Sequence, residues 1–280
     1  MKNLVCVVIP IYKEIPSDFD IISLKQCFKK LKEFEIVLVA PRKIKLENYE
    51  CLGEFKIIRF SEKFFKNIEG YNKLLLSPFF YLKFKKYKFI LIHQTDAFIF
   101  KDELKYWCSK NYGYIGAPWF ENFGLSKETD RIKGVGNGGL SLRKVNSIIR
   151  SLLSFSYLDN PNYLINKYLQ YNWKGKIKHF PELLSNLTIR NNSFFLFNNY
   201  QHNEDKFYGL HINNKKKWFN VANEENGLKF SFELYAKKLF HINNNKLPFG
   251  CHGWNKYSTN FWKNIIEKQG YKLKKINKPI

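Results

Sequence analysis

The polar residues best placed for chemistry in the first half of the chain stand together in QTD, residues 94–96. They interrupt the apolar run ILIHQTDAFIF, which spans residues 90–100. An ionised carboxylate at the end of a buried strand is costly unless a cation or hydrogen-bond donors compensate its charge. Two interpretations of Asp96 stay open. It caps an ordinary turn, or it holds a metal ion at the C-terminal edge of a sheet, where open α/β folds bind their ligands.

Three later segments carry further polar or flexible groups, namely GNGG at residues 136–139, HNED at 202–205 and LPFGCHGW at 247–254. The glycines let backbone approach a ligand closely or adopt a positive φ, and they suit a plain tight turn equally well. The two adjacent acids suit either a solvated helix start or a general base with a supporting neighbour. The histidine between two glycines is either structural or a ligand with unusual backbone freedom. The candidate residues are Asn137, Gly138, Gly139, Glu204, Asp205 and His252.

The elements that must position these groups alternate between strand and helix over the first hundred residues. Ser17, with Asp20 three positions further on, predicts a helix start, and residues 70–87 are predicted to be helical with a break before Pro78. Strands that alternate with helices predict an α/β fold with a mostly parallel central sheet flanked by helices. Apolar runs predict buried strands at residues 5–9, 36–39 and 89–94, and a further strand is predicted at residues 55–60.

The pattern changes beyond about residue 110. YGYIGAPWF is rich in glycine, proline and aromatic residues, GVGNGGLSLRKV places a glycine turn between short elements, and residues 145–170 are predicted to be helical. Neither an internal repeat nor a clear linker separates this half from the first. We therefore predict a single domain over residues 1–280, in which an elaborated C-terminal half supplies the second wall of a cleft.

The composition is that of a folded protein with reduced thiols. With 45% hydrophobic and 18% aromatic residues, the 280-residue chain has ample material for a core. Its five cysteines are widely spaced and form no C-x-x-C pair, which argues against a disulfide framework and a structural zinc site. No apolar run approaches the roughly 18 to 20 residues that span a bilayer. We predict a cytoplasmic protein whose first apolar run is a strand and not a signal peptide.

The formal net charge of +23 suggests a polyanionic partner. Lysines neutralise phosphates in non-specific nucleic-acid binding, but here they are spread along the whole chain without a recognisable nucleic-acid-binding signature. An anionic membrane surface, a lipid-linked acceptor or nucleotide phosphates account for the charge equally well. We therefore expect no nucleic-acid partner, and we expect peripheral contact with anionic lipid at the inner membrane face.

Six motifs in one order, GYNKLLLS, QTDAF, YIGAPW, VGNGGLSLRK, FSFE and LPFGCHGW, resemble an uncharacterised bacterial family of predicted glycosyltransferases found among surface-polysaccharide genes. More broadly, the chain resembles the GT-A nucleotide-sugar transferase superfamily, with its D-x-D motif, glycine-rich loop, x-E-D motif and C-terminal histidine. The resemblance spans nearly the whole chain. It implies a GT-A-like domain with a nucleotide-binding half at residues 1–110 and an acceptor and catalytic half at residues 111–280.

The resemblance also implies roles for single residues. Asp96 matches the second acid of D-x-D, while Gln94 stands at the first, where its carbonyl oxygen accepts hydrogen bonds but carries no charge. Asp96 and His252 would hold a divalent cation, Mn²⁺ or Mg²⁺, and a metal-free site in which lysines neutralise the diphosphate stays open. Asp205 is implied as the base, with Glu204 in support. The resemblance implies that Pro10, Ile11 and Tyr12 hold the base and ribose. The further candidates for donor binding are Lys73, Gln94, Thr95, Asp96, Asn137, Gly138 and Gly139, and those for acceptor binding are Trp119 and Trp254.

We therefore expect a hexosyltransferase-like enzyme that moves a sugar from a nucleotide-diphosphate donor to a hydroxyl of a glycan or lipid-linked acceptor in surface polysaccharide synthesis. Direct attack by that hydroxyl would invert the anomeric configuration. Two alternatives stay open. A nucleotidyltransferase on a similar sheet would attack the α-phosphate and release pyrophosphate. A non-catalytic polyanion or nucleic-acid binder would have no need of Asp96 or Asp205.

Overall fold

The computed structural model describes residues 3–122, 125–153, 160–190, 200, 202–212 and 219–273. The strands are β1 (Val5–Pro10), β2 (Glu35–Pro41), β3 (Lys56–Phe60), β4 (Phe89–His93), β5 (Phe98–Ile99), β6 (Tyr114–Ile115), β7 (Ala117–Phe120), β8 (Ile132–Gly136), β9 (Leu140–Lys144), β10 (Ser231–Phe232) and β11 (Gly250–Cys251). The helices are α1 (Asp18–Lys30), α2 (Ile68–Leu75), α3 (Pro78–Leu82), α4 (Leu104–Ser109), α5 (Val145–Leu153), α6 (Pro161–Leu169), α7 (Trp173–Thr188), α8 (Glu204–Lys206), α9 (Glu224–Phe230), α10 (Ala236–Ile242) and α11 (Thr259–Glu267). A π-helical turn, Phe207–Ile212, follows α8 directly.

Six strands form the central sheet in the order β3-β2-β1-β4-β9-β6. The first four of this order run parallel, whereas β9 is antiparallel to both β4 and β6. Every residue of β1 and of β4 is buried, as expected for apolar strands covered by helices on both faces. The predicted α/β fold, with a mostly parallel central sheet flanked by helices, is confirmed.

The strand order reverses at β1, because the chain continues from β1 to β2 on one side and β4 lies on the other side. Open α/β sheets bind their ligands beyond the carboxyl ends of the strands at such a reversal. β1 and β4 pair in parallel and end at Pro10 and His93. Residues 10–12 and the QTD segment therefore emerge at the same edge of the sheet.

Local sequence signals set the helix boundaries. Ser17 caps α1, and a capping box joins it to Asp20, whose Oδ2 accepts from the Ser17 N–H at 2.8 Å. The predicted break before Pro78 separates α2 from α3, because proline fits a first helical turn but cannot continue a helix. In the stretch predicted to be helical at 145–170, α5 and α6 account for the described residues, and positions 154–159 lie outside them.

Two small sheets attach the C-terminal half to the edge of the central sheet. In the order β10-β11-β5, β11 runs antiparallel to β5 and parallel to β10. Because β5 closely follows QTD, this pairing brings the FSFE and LPFGCHGW motifs to the end of β4. The β7-β8 hairpin leads into GNGG. A second apolar cluster beneath these strands includes Phe98, Phe100, Phe232, Trp254 and Trp262. Among the described helices, none is long and apolar enough to cross a membrane.

Candidate functional site

A cleft of about 570 Å³ opens beyond the carboxyl ends of β1 and β4. This volume lies in the range of small-molecule binding sites. Residues from the QTD, GNGG, HNED and LPFGCHGW segments form its walls together with residues from the end of β1. The predicted site residues that line the cleft are Pro10, Tyr12, Gln94, Asn137, Gly138, Gly139, Glu204, Asp205 and His252. The four motif segments are thus brought to one place.

Asn137 shapes the glycine loop. Its φ of 72° is in the left-handed region, so the positive φ expected at a glycine belongs instead to an asparagine, one of the few other residues that adopt it readily. The Asn137 Oδ1 accepts from the Gly139 N–H at 2.7 Å. The Asn137 N–H donates to Asp205 Oδ2 at 3.0 Å. The loop conformation is therefore coupled to the HNED segment.

Gly138 and Gly139 allow two side chains of the protein to approach the loop closely. A Cβ added at Gly138 would overlap the Glu204 carboxylate, and one added at Gly139 would overlap the His252 ring. Because neighbouring Cα atoms lie about 3.8 Å apart, the Glu204 carboxylate and the His252 ring lie against successive residues of one loop.

The two adjacent acids are held differently. Glu204 is buried, and its Oε1 accepts from Arg143 Nη2 at 2.6 Å in an ion pair withdrawn from water. Asp205 lines the cleft, where its Oδ2 accepts from the Asn137 N–H. The N-cap of α8 is Asn203, and both acids lie in the first turn of this helix, where Glu204 is buried and not solvated.

The pKa of Asp205 is raised to about 7, first because its carboxyl is buried and then because Glu204 and Glu233 lie nearby. The negative charge of Glu204 thus contributes to the raised pKa of Asp205, but burial contributes more. A general base works best when its pKa lies near the working pH. Asp205 therefore lies in the cleft with a pKa close to neutral pH.

His252 stands between two carboxylates. Its Nδ1 lies 2.9 Å from Glu233 Oε1, and its Nε2 lies 3.2 Å from Asp96 Oδ1 and 3.0 Å from Gln94 Oε1. Burial would lower the pKa of His252, but Asp96 and Glu233 outweigh it and raise the pKa to about 10. Lys256 Nζ lies 2.6 Å from Asp96 Oδ2. Two cationic side chains thus share Asp96.

These side chains do not fit a divalent cation as they are arranged. Both ring nitrogens of His252 face carboxylate oxygens, so each carries a proton and has no lone pair to give a metal. The remaining oxygen of Asp96 is occupied by Lys256. In the described part of the chain, no group of three His, Cys, Asp or Glu side chains is arranged to hold an ion. The metal site at Asp96 and His252 stays a prediction that this geometry does not favour.

Four predicted donor-binding residues do not line the cleft. Ile11 is wholly buried, and its N–H donates to a carbonyl of β2. Thr95 is also buried. Asp96 is buried and pairs with His252 and Lys256, which themselves line the cleft. Lys73 pairs with Glu69 at 2.6 Å on the exposed face of α2, because the opposite face of this helix packs inward.

Neither predicted acceptor-binding tryptophan faces the cleft. Trp254 is wholly buried, and its Nε1 donates to Ser23 Oγ at 2.8 Å. Its assignment to an acceptor is therefore wrong, since it belongs to the second apolar cluster. The ring of Trp119 lies against Gly136 and Gly209, where it fills the space that a Cβ would occupy. It is not among the residues that line the cleft.

The individual sequence predictions missed four residues that build the site. Glu233 lies in FSFE and Asn72 in GYNKLLLS, so the motifs that carried the resemblance contained the signal. The Asn72 Oδ1 accepts from the Glu204 N–H at 3.3 Å. Arg143 comes from VGNGGLSLRK, and it is enclosed by Tyr81, Tyr114 and Tyr208. Lys256 follows His252 by four positions in a turn, and no sequence pattern marked it.

Comparison with known proteins identifies a family. No curated protein matches the chain. A glycosyltransferase involved in glycosylation of the major capsid of PBCV-1 is similar at 9% identity and a TM-score of 0.43, over 95% of this chain and 100% of that chain. A galactosyltransferase, LgtC, crystallised with donor and acceptor sugar analogues, gives 12% identity and a TM-score of 0.45 over 94% and 95% of the two chains. Mouse xyloside xylosyltransferase 1 in its apo form is similar at 11% identity and a TM-score of 0.46, over 90% of this chain and 97% of that chain.

These three TM-scores lie below 0.5, so the structural similarities give no evidence about function. The family match is of a different kind, because it rests on the sequence and covers residues 54–252, which contain QTD, GNGG, HNED and His252. The chain belongs to DUF5672, a family described as proteins of unknown function.

Proposed function

We propose that the chain is a glycosyltransferase that moves a sugar from a nucleotide-diphosphate sugar to a hydroxyl group with inversion of configuration. One observation carries this proposal. In a single cleft, the half-buried carboxyl of Asp205 accepts from the Asn137 N–H of the glycine loop, and Gly139 of the same loop lies against His252, with Lys256 also lining the cleft. Glycosyl transfer from such a donor needs a base for the attacking hydroxyl and positive charge for the departing diphosphate.

Asp205 is the proposed base. The acceptor oxygen forms a bond to the anomeric carbon while the bond between that carbon and the diphosphate oxygen breaks, and the diphosphate leaves with the electron pair. The acceptor proton passes to Asp205. Glu204, held by Arg143, places a second carboxyl group beside the base, and this neighbour raises the pKa of Asp205.

Two exposed tyrosine side chains that line the cleft are the proposed binding site for the nucleoside of the donor. Tyr12 is 55% exposed and Tyr257 is 42% exposed, although both line the cleft. Exposed rings at a binding site offer a surface on which a nucleobase stacks. Pro10, at the end of β1, lines the cleft nearby. This arrangement directs the diphosphate toward His252 and Lys256.

In this proposal Lys256 replaces the divalent cation that the D-x-D resemblance implies. Asp96 holds its Nζ at 2.6 Å, while 61% of the Lys256 side chain stays exposed. An ammonium group binds phosphate as a point charge, and His252 adds N–H donors beside it. Asp96 is then a positioning residue for two cations.

We further propose a glycan or lipid-linked acceptor and a role in surface polysaccharide synthesis at the cytoplasmic face of a membrane. The resemblance of the six motifs to glycosyltransferases found among surface-polysaccharide genes supports a role in polysaccharide synthesis. The net charge of +23 supports an acceptor held at an anionic surface.

A panel of nucleotides and nucleotide sugars tests the function. The melting temperature is measured with each compound, with and without Mn²⁺, because a ligand at 100 times its dissociation constant stabilises a fold by about 2.7 kcal/mol. Stabilising donors are then incubated with glycan acceptors, and the products are analysed for the new linkage and its configuration. Release of pyrophosphate would support a nucleotidyltransferase instead. Failure of every nucleotide to bind would overturn both enzyme assignments.

Lys256→Ala should weaken binding of a nucleoside diphosphate by about tenfold, the effect of removing one charge-assisted contact worth roughly 1.5 kcal/mol. Lys73→Ala is the matched control. It removes the same charge from an exposed lysine outside the cleft and should leave the affinity unchanged. Isothermal titration of both variants, with EDTA and with Mn²⁺, makes the comparison. Equal losses in the two variants would argue against a specific role for Lys256.

A further inference from the structure

The helices α6 and α7 form a hairpin that packs mainly on itself. No residue of these two fully described helices is buried. They meet through Tyr168, which donates from its hydroxyl to the Lys176 carbonyl at 3.1 Å and contacts the ring of Phe180. Tyr171 stacks on His179 with ring centroids 4.5 Å apart. Within the described residues, the side of α7 that carries His179 and Glu182 faces α6, and Phe180 lies at the edge of this contact.

An apolar stripe lies on the exposed side of α7, beside the contact with α6. Trp173, Ile177, Phe180 and Leu184 recur at intervals of four, three and four residues. At about 100° per residue these positions fall within one narrow sector of the helix. Their exposures are 68%, 69%, 53% and 53%. Four large apolar side chains in one row are unusual on a surface that faces only water.

Basic residues flank this stripe. At about 100° per residue, Lys174 and Lys176 lie on the two sides of the stripe, whereas Lys178 lies nearer to Glu182. Glu182 is the one acid between residues 160 and 190, and at about 100° per residue it lies on the side of α7 opposite Trp173. It also lies 3.1 Å from His179 Nδ1 and faces α6 across the small pocket between the helices. The stripe is therefore apolar at its centre and positive at its edges.

We propose that α7 is a membrane-docking helix that lies on an anionic lipid bilayer. A helix with Trp, Phe and Leu on one face and lysines beside them binds in the plane of the interface, with its apolar face at the boundary between head groups and acyl chains. The lysines select anionic over neutral lipid. This assignment does not depend on the reaction in the cleft, because none of these residues lines it.

Vesicle flotation of the full chain tests the proposal, with phosphatidylcholine vesicles that contain or lack phosphatidylglycerol. The wild-type chain should float with the anionic vesicles. Ile177→Glu places a carboxylate in the stripe and should lower this recovery by about tenfold or more. The matched control is Ile15→Glu, because Ile15 is 76% exposed in the bend before α1 and is not part of α7. It should retain wild-type recovery.

A second readout places the stripe in the lipid. Anionic vesicles should shift the tryptophan emission of the wild-type chain to shorter wavelength, and Trp173→Phe should lose that shift. Three results would overturn the proposal: equal recovery with neutral and anionic vesicles, equal losses for Ile177→Glu and Ile15→Glu, or an Ile177-dependent self-association without vesicle binding. The last result would assign the stripe to a second copy of the chain.

Discussion

Asp205→Asn should lower kcat by about 10² to 10⁴ while the affinity for the donor barely changes. General-base catalysis accounts for rate factors of this size, and the lost interaction forms mainly in the transition state. The amide still accepts a hydrogen bond from the Asn137 N–H, now 3.0 Å from Asp205 Oδ2, so the glycine loop should keep its conformation. Steady-state kinetics and donor titration on the same preparation separate the two effects.

The stability of this variant gives an independent check. The pKa of Asp205 rises from 3.8 to about 7 on folding, so the folded state binds the proton more tightly than the unfolded state does. The stability from this group is therefore full below the unfolded pKa and is lost as the pH rises through 7. Asp205→Asn removes this pH-dependent loss. At pH 8 the variant should melt no lower than the wild-type chain.

The activity should follow the ionised form of Asp205. kcat/KM should fall about tenfold per pH unit below a pKa near 7. Asp102→Asn is a matched control, because it makes the same change on an exposed turn before α4. A variant of Asp205 that keeps full turnover, or a product with the same anomeric configuration as the donor, would contradict the proposed role.

The sheet was predictable because its strands are long apolar runs. β1 and β4 are buried on both faces, and such strands appear in the sequence as unbroken hydrophobic segments. The sheet β10-β11-β5 was not predictable, since each of its strands has two residues and so shows no periodicity. That sheet places Glu233 beside His252, which explains why the partner of His252 escaped the sequence analysis.

Side-chain direction limited the site predictions in a different way. Trp254 and Lys73 were chosen by residue type, but packing decides which face a residue occupies. For Lys73 the signal was present, because Glu69 precedes it by four residues and such pairs form on exposed helix faces. For Trp254 no local pattern distinguishes a core ring from a ring at a cleft, since the aromatic residues around it belong to a cluster formed by distant segments.

Arg143→Met should destabilise the fold by about 3 to 5 kcal/mol, the usual cost of breaking a buried ion pair by removing one partner. The Arg143 side chain is wholly buried and that of Glu204 is 4% exposed, with 2.6 Å between Nη2 and Oε1. The substitution leaves the Glu204 carboxylate buried without its cation. It also leaves the Tyr81 hydroxyl without the guanidinium that donates to it at 2.8 Å. Urea denaturation measures the loss.

The double variant Arg143→Met, Glu204→Gln shows whether the loss of stability comes from breaking the ion pair or from losing the packing of the Arg143 side chain. Once both charges are removed, the uncompensated carboxylate is gone, so the double variant should be more stable than Arg143→Met alone. Arg131→Met, at an exposed position, serves as a control and should change stability by no more than about 0.5 kcal/mol. If the double variant is as unstable as the sum of its single variants, the two side chains are not coupled. Strong coupling would mean that Arg143 fixes the acid next to Asp205, so the ion pair that stabilises the sheet also holds the proposed base in the cleft.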